Sequence, residues 1–242
     1  MLRRVVGVVL LAALVFGTVT MGLAQKLHPK LKKQEKVVKT TLLVPPIVNI
    51  TKDTEKGGEG MLKESEMIET ASQKLVADAL KAKGITVIDG EFTPEALSKN
   101  EELKYVLADV QAKYDQIHLK VLGKRNDVEK GRFTLGDQVG KVHSTKEVDA
   151  IVFVRGNGVV VTAGKAFLGA LAGGRSGSSL FLTIGIVDIQ TGDVLYFDQR
   201  SVVSGAWIGK KFHEKPDEAL KKPVDKALDK LPVPAQNAKA KA

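Results

Sequence analysis

The sequence predicts a mixed α/β (α+β) fold: a single mixed β-sheet of about four to six strands, flanked by helices, with an antiparallel hairpin near the C-terminus. Three observations predict it. Ala150-Ile151-Val152-Phe153-Val154 is an unbroken apolar run, the pattern of a strand buried on both faces. Two long stretches carry apolar residues at helical spacing and bracket a short β-rich run. Leu180, Leu182, Ile184 and Ile186 alternate with Phe181, Thr183, Gly185 and Val187, then a Thr191-Gly192 turn leads into Val194-Leu195-Tyr196-Phe197.

The elements follow in order from Thr40. Thr41-Leu42-Leu43-Val44 is a short β run that meets Pro45-Pro46 and resumes as Ile47-Val48-Asn49-Ile50. Two prolines donate no ladder hydrogen bonds, so the strand breaks there or lies at a sheet edge. Thr51 to Gly60 reads as a polar, glycine-containing loop. Met67, Ile68, Ala71, Leu75, Val76, Ala79 and Leu80 share one face of a helix that stops at Gly84. Ile85 to Ile88 is a short strand, turned by Asp89-Gly90. Thr93-Pro94-Glu95 is a helix start, with a capping hydroxyl and a first-turn proline. Leu103, Val106, Leu107, Val110, Tyr114, Ile117 and Val121 form a second stripe reaching about Gly123, with a break expected near Tyr114. Gly131 to Lys146 suggests short turns. Gly156-Asn157-Gly158 separates the buried strand from a further run, Val159-Val160-Val161. Asp217 to Leu231 is a terminal helix ended by Pro232 and Pro234.

Composition narrows the function. The 242 residues are 43% hydrophobic and 27% charged, which excludes a wholly disordered chain and a polytopic membrane protein. No cysteine is present, so disulfides, thiolate metal sites, cysteine nucleophiles and lipid attachment through an N-terminal cysteine are excluded. Aromatics at 5% argue against a sugar platform or a base-stacking surface. The net charge of +9 is modest for this length.

The first segment reads as an address. Met1-Leu2-Arg3-Arg4 precedes an uncharged stretch from Val5 to Ala24, which ends Gly22-Leu23-Ala24 with small residues at the −3 and −1 positions of a secretory cleavage site. This predicts a signal peptide over 1–24 and a periplasmic or secreted protein. Twenty apolar residues also suffice for an uncleaved anchor over 5–24. Lys26, Lys30, Lys32, Lys33, Lys36 and Lys39 follow at once, and such charge opposes translocation. Residues 25–39 read as a basic flexible arm, either a solvated linker or a contact with a membrane surface. The domain then spans 40–231, and 232–242 form a disordered tail.

Familiar catalytic patterns fail at defining positions. Gly158 and Gly164-Lys165 are spaced wrongly for a phosphate loop, and Ala166 stands where a hydroxyl should hold magnesium. Gly156-Asn157-Gly158 lacks the third glycine of a dinucleotide fingerprint. Gly174-Arg175-Ser176-Gly177 places a glycine one position early for a nucleophile elbow. His28, His118, His143 and His213 are scattered, and no carboxylate stands alone in an apolar run where burial would raise its pKa. Asn49-Ile50-Thr51 matches a glycosylation sequon by pattern only. No catalytic residue, metal site or cofactor is therefore expected, and the basic stretches without aromatics do not suggest nucleic acid.

Ala163 to Gly174, AGKAFLGALAGG, lies small and apolar between two strands. It reads as a helix packed on the sheet, or as a contact with a membrane or partner. The candidate interaction residues are Thr41 and Leu43, at the expected sheet edge, and Lys165, Phe167, Leu168, Leu171 and Arg175 in and beside this segment.

The segments LLVPPIVNI, LKAKGITVID, KEVDAIVFVRGNGVVV and LFLTIGIVDIQTGDVLYFDQR, spread over Thr40 to Trp207, carry a resemblance. Together they resemble the envelope α/β domain shared by the curli secretion-channel subunit and the outer-membrane lipoprotein activators of penicillin-binding proteins. The N-terminal domain of the Tol-system translocation protein is similar. The resemblance implies a bacterial envelope protein that binds other envelope proteins, or itself, in an assembly or regulatory role. The lipid-bearing cysteine of those lipoproteins is missing here. Ala163–Gly174 is also shorter than the hairpins of channel-forming relatives, so no pore is carried over. Two rivals stand beside a non-enzymatic binding factor: a membrane-associated oligomeric secretion subunit, and a periplasmic hydrolase. The hydrolase would require His118, His143 or His213 to meet an aspartate in one cleft.

Overall fold

A computed structural model describes residues 25–54, 57–88, 91–142, 147–162, 177–205 and 215–234. Its elements are β1 (Lys26–Leu27), α1 (Pro29–Lys32), β2 (Thr40–Leu43), β3 (Ile47–Thr54), β4 (Gly57–Gly60), α2 (Leu62–Ala82) and β5 (Thr86–Ile88). There follow α3 (Pro94–Lys99), α4 (Glu101–Gly123), two 3-10 turns (Arg125–Lys130 and Asp137–Val142), β6 (Ala150–Val161), β7 (Ser178–Asp188), β8 (Val194–Gly205) and α5 (Pro216–Leu228). All eight strands join one open mixed sheet in the order β1-β8-β7-β6-β2-β5, with β3 beside the far end of β6 and β4 outside β3. The mixed α/β class is as the sequence predicts. The sheet is larger than expected because two very short strands, β1 and β4, extend it.

β6 organises the sheet. Its first seven residues are buried, as the apolar run requires, with Ile151 and Phe153 against α4 and Val152 and Val154 against α2 and α5. β2 and β3 both run parallel to it, end to end, and β7 runs antiparallel on its other side. The expected break at Gly156-Asn157-Gly158 does not occur. β6 is one twelve-residue strand, and Gly156 serves packing: a Cβ there would meet both γ-methyls of Val48 at 2.8 Å. The β7–β8 hairpin forms as its alternation predicts, with Gly192 at φ 72° in the turn. Thr93 caps α3, accepting a hydrogen bond from the Ala96 amide. α4 runs unbroken through Tyr114, whose ring lies inward on the apolar stripe.

Three further expectations are corrected. The stretch from Thr51 is a ladder, not a loop: β3 continues to Thr54 and turns back as β4. β2 is no edge, since it lies between β5 and β6 and Thr41 and Leu43 are fully buried. The prolines mark a jog between two strands that share β6, and the Val44 amide still donates to Val152 on it. The outer side of β3 is sealed by α2, where the Glu69 and Ser65 side chains accept from the Val48 and Ile50 amides.

The third correction concerns residues 25–39, which are structured rather than a flexible arm. β1 pairs with β8, α1 makes one helical turn, and Leu31 and Val38 are buried. Lys26 and Lys32 both reach Glu129, Lys30 reaches Asp193 at 2.7 Å, and Lys36 reaches Asp188. Four of the six lysines that read as solvated, or as facing lipid, have carboxylate partners contributed from far along the chain, while Lys33 reaches only Glu35 two residues on. Leu31→Ala should cost about 2 kcal/mol in urea unfolding, the order expected for a buried leucine. A flexible arm would show no change.

Candidate functional site

α4 crosses only part of its face of the sheet. Past its line, β3, β6 and β7 continue with Asn49, Thr51 and Asn157 exposed and Val159, Val161 and Phe181 half-buried. Where the C-terminal half of α4 meets this open region lies a cleft of about 360 Å³, lined by both. The sheet contributes Asn49, Arg155, Asn157, Phe181, Thr183 and Gln199, placed on one face by the two-residue strand period. α4 contributes Asp115, His118, Leu119 and Leu122, which fall one turn apart.

Arg155 is the charged centre. It is 7% exposed, its Nε donates to Asp115 Oδ1 at 2.5 Å, and Nη1 donates to its neighbour's carbonyl at Val154. Its guanidinium carbon lies 5.2 Å from the Tyr114 ring centroid, and that ring stacks on Phe153 at 4.1 Å. Burial drives the Tyr114 phenol well above its usual range, and its hydroxyl has no partner among the described residues. His118 sits one turn on, near Phe197, with Nε2 buried and unpartnered among the described residues. Burial first, then Arg155, push its pKa down to about 4, so the imidazole is neutral at physiological pH.

His118 and Asp115 line the same cleft, which is the meeting a hydrolase would require. Asp115 is nevertheless engaged by Arg155, and among the described residues no hydroxyl is hydrogen-bonded to His118 Nε2. Among the described residues no group of three metal-ligating side chains is found, and no helix is long and apolar enough to cross a membrane.

Of the interaction residues proposed from sequence, only Thr41 and Leu43 lie among the described residues. Thr41 and Leu43 are buried in β2 and offer no surface. Lys165, Phe167, Leu168, Leu171 and Arg175 lie outside the described residues, as do His143, His213 and residues 1–24, the expected signal peptide. Asp198 escaped sequence reading. It is a buried carboxyl on β8 whose pKa rises to about 7, chiefly through desolvation that Arg200 only partly offsets. It overturns the expectation that no carboxylate is buried in an apolar setting, and the alternation Tyr196-Asp198-Arg200 was the available signal. His28 is also buried, its Nδ1 accepting from the Lys30 amide.

No protein-family model and no curated protein matches the chain. Among solved structures, it is similar to the PelC dodecamer from Paraburkholderia phytofirmans at 12% identity and TM-score 0.38, covering 87% of this chain and 96% of that one. It is also similar to lipoprotein GNA1162 from Neisseria meningitidis at 13% identity and TM-score 0.37, covering 84% of this chain and 99% of that one. At these values neither residue roles nor activity transfer to this chain.

Proposed function

We propose that this protein is an exported component of the bacterial envelope that acts by binding other proteins, without catalysis, in an assembly or regulatory role. The leader over 1–24 and the resemblance of the strand and helix segments to envelope domains support the location. The observation that carries the binding role is the face beyond α4, which no described element covers. There Val159, Val161 and Phe181 stay half-exposed beside the cleft, and Leu119 on its rim is 69% exposed. Exposed and partly exposed apolar side chains beside amides such as Asn49 and Asn157 suit a protein contact more than a small charged substrate. A neutral His118 that resists protonation down to about pH 4 is a poor general base at neutral pH, which supports a non-enzymatic role.

A photo-crosslinking residue at the exposed position Asn157, incorporated in living cells, should yield a discrete adduct with an envelope protein. Leu119→Ser with Phe181→Ser should reduce that adduct at least about tenfold, as loss of apolar anchors does. An adduct at twice the chain's mass would identify a second copy as the partner. No adduct, or one indifferent to the double substitution, would overturn the assignment.

A further inference from the structure

α4 buries one stripe and exposes another. Its inward residues Leu107, Val110, Tyr114 and Val121 seat it on the sheet. On the other side Tyr105 is 72% exposed and Leu119 69% exposed, both large apolar side chains given over to solvent. Ala108 and Ala112 lie exposed between them. The steps from 105 through 108 and 112 to 119 are three, four and seven residues, so the four form one ridge along the helix. A solvated helix face ordinarily carries charge on that line, not a tyrosine, two alanines and a leucine.

One shoulder of the ridge is charged in order. Glu102, Asp109, Lys113 and Lys120 follow in steps of seven, four and seven residues, which keeps them on one side of it. The first two are acidic and the last two basic. Asp109 and Lys113 already touch at 3.0 Å, whereas Glu102 and Lys120 are exposed and make no ion pair among the described residues. The series is a palindrome with its sign reversed at the centre. Glu102 and Lys120 stand nine residues either side of Gln111, and Asp109 and Lys113 stand two either side. The ridge repeats that symmetry one residue along, with Tyr105 and Leu119 seven either side of Ala112.

We infer that α4 pairs with α4 of a second copy of this chain, antiparallel, about a two-fold axis close to Gln111 and Ala112. Tyr105 of each copy then covers Leu119 of the other, and the two alanines let the helices approach at their crossing. Glu102 meets Lys120 at both ends of the contact. Asp109 meets Lys113 near its centre, where the two intrahelical pairs merge into one cluster of four charges. A two-fold interface asks one patch to match itself, and the reversed order of charge does so. A parallel pair would set Glu102 against Glu102 and Lys120 against Lys120. A helix of unrelated sequence would need no such symmetry, so the palindrome names a second copy as the occupant. The contact lies on the outer ridge of α4 and not on the sheet face beyond it, so it stands or falls separately from the partner proposed at the cleft.

The natively expressed protein should sediment as a concentration-dependent dimer. Glu102→Lys with Asp109→Lys makes the shoulder wholly basic, and Lys113→Glu with Lys120→Glu makes it wholly acidic. Each double variant alone should dimerise at least about tenfold more weakly than the parent, because like charges then face each other. Mixed in equal amounts, the two should recover a heterodimer, which also shows that both are folded. The chain has no cysteine, so introduced thiols report the geometry directly. Ala112→Cys should oxidise to a linked dimer, and Tyr105→Cys should link to Leu119→Cys in a mixture but not to itself. A chain that stays monomeric at every concentration, or a dimer indifferent to both charge reversals, would overturn the inference. So would Tyr105→Cys linking to itself, which marks a parallel pair.

Discussion

Gly185→Ala should destabilise the protein by about 3–4 kcal/mol, or prevent folding outright, at the upper end of what overpacking costs. The methyl group has nowhere to go. A Cβ at position 185 would lie 2.0 Å from the Tyr114 hydroxyl and under 3 Å from two ring carbons. The ring cannot retreat, because its other face is stacked on Phe153 and the side chain is 1% exposed. Gly185 is thus the floor on which α4 is seated, directly beneath the cleft. Tyr114→Leu in the same chain should recover most of the loss, whereas Tyr114→Phe should recover only the part due to the hydroxyl. The measurement is a set of urea transitions for the three single and two double variants. Independent, additive costs would show that the ring is not what excludes the methyl.

The second large effect is an acid sensitivity centred on His118. Its folded pKa is about 4, against an ordinary value of 6.5, so the unfolded chain binds more protons than the folded one between those values. The stability it contributes is full above about pH 6.5 and is lost as pH falls through that window toward 4. The shift corresponds to about 3 kcal/mol at most, reduced by whatever solvent reaches the ring. Asp198 acts in the opposite direction over an overlapping range, since a raised carboxyl pKa favours the protonated folded state. The test is therefore a difference: urea midpoints of the parent and of His118→Gln, followed from pH 7.5 to 4. The parent should lose stability relative to the variant on acidification. Parallel profiles would mean that His118 takes up its proton in the folded state without penalty.

The elements visible in the sequence are those whose residues solve their own burial locally. The first half of β6, the β7–β8 alternation, the stripe of α2 and the Thr93 cap each follow from a period or a single side-chain hydrogen bond. What was hidden depends on partners far away. Lys30 looks solvated until Asp193 is brought beside it, and β2 looks like an edge until β5 and β6 close on both its sides. Gly156 reads as a turn because nothing local reveals that Val48 will press against it. For the cleft, the inward stripe Val110, Tyr114, Ile117 and Val121 was legible by its helical spacing. That His118 would join Tyr114 at the cleft, and that Arg155 would lie over the Tyr114 ring, was not.

The end-to-end placement of β2 and β3 along β6 also sets the order in which the chain can fold. The Thr40 amide is held by Asp149, 109 residues later, and the parallel ladders to β6 are similarly remote in sequence. Closing loops of that length delays pairing, whereas the β7–β8 hairpin needs only a short turn. A chain emerging N-terminus first therefore presents β2, β3 and their apolar faces long before the strand that will cover them exists. The parallel pairings of β2 and β3 cannot form until β6, which ends at Val161 about two thirds of the way along the chain, has been made.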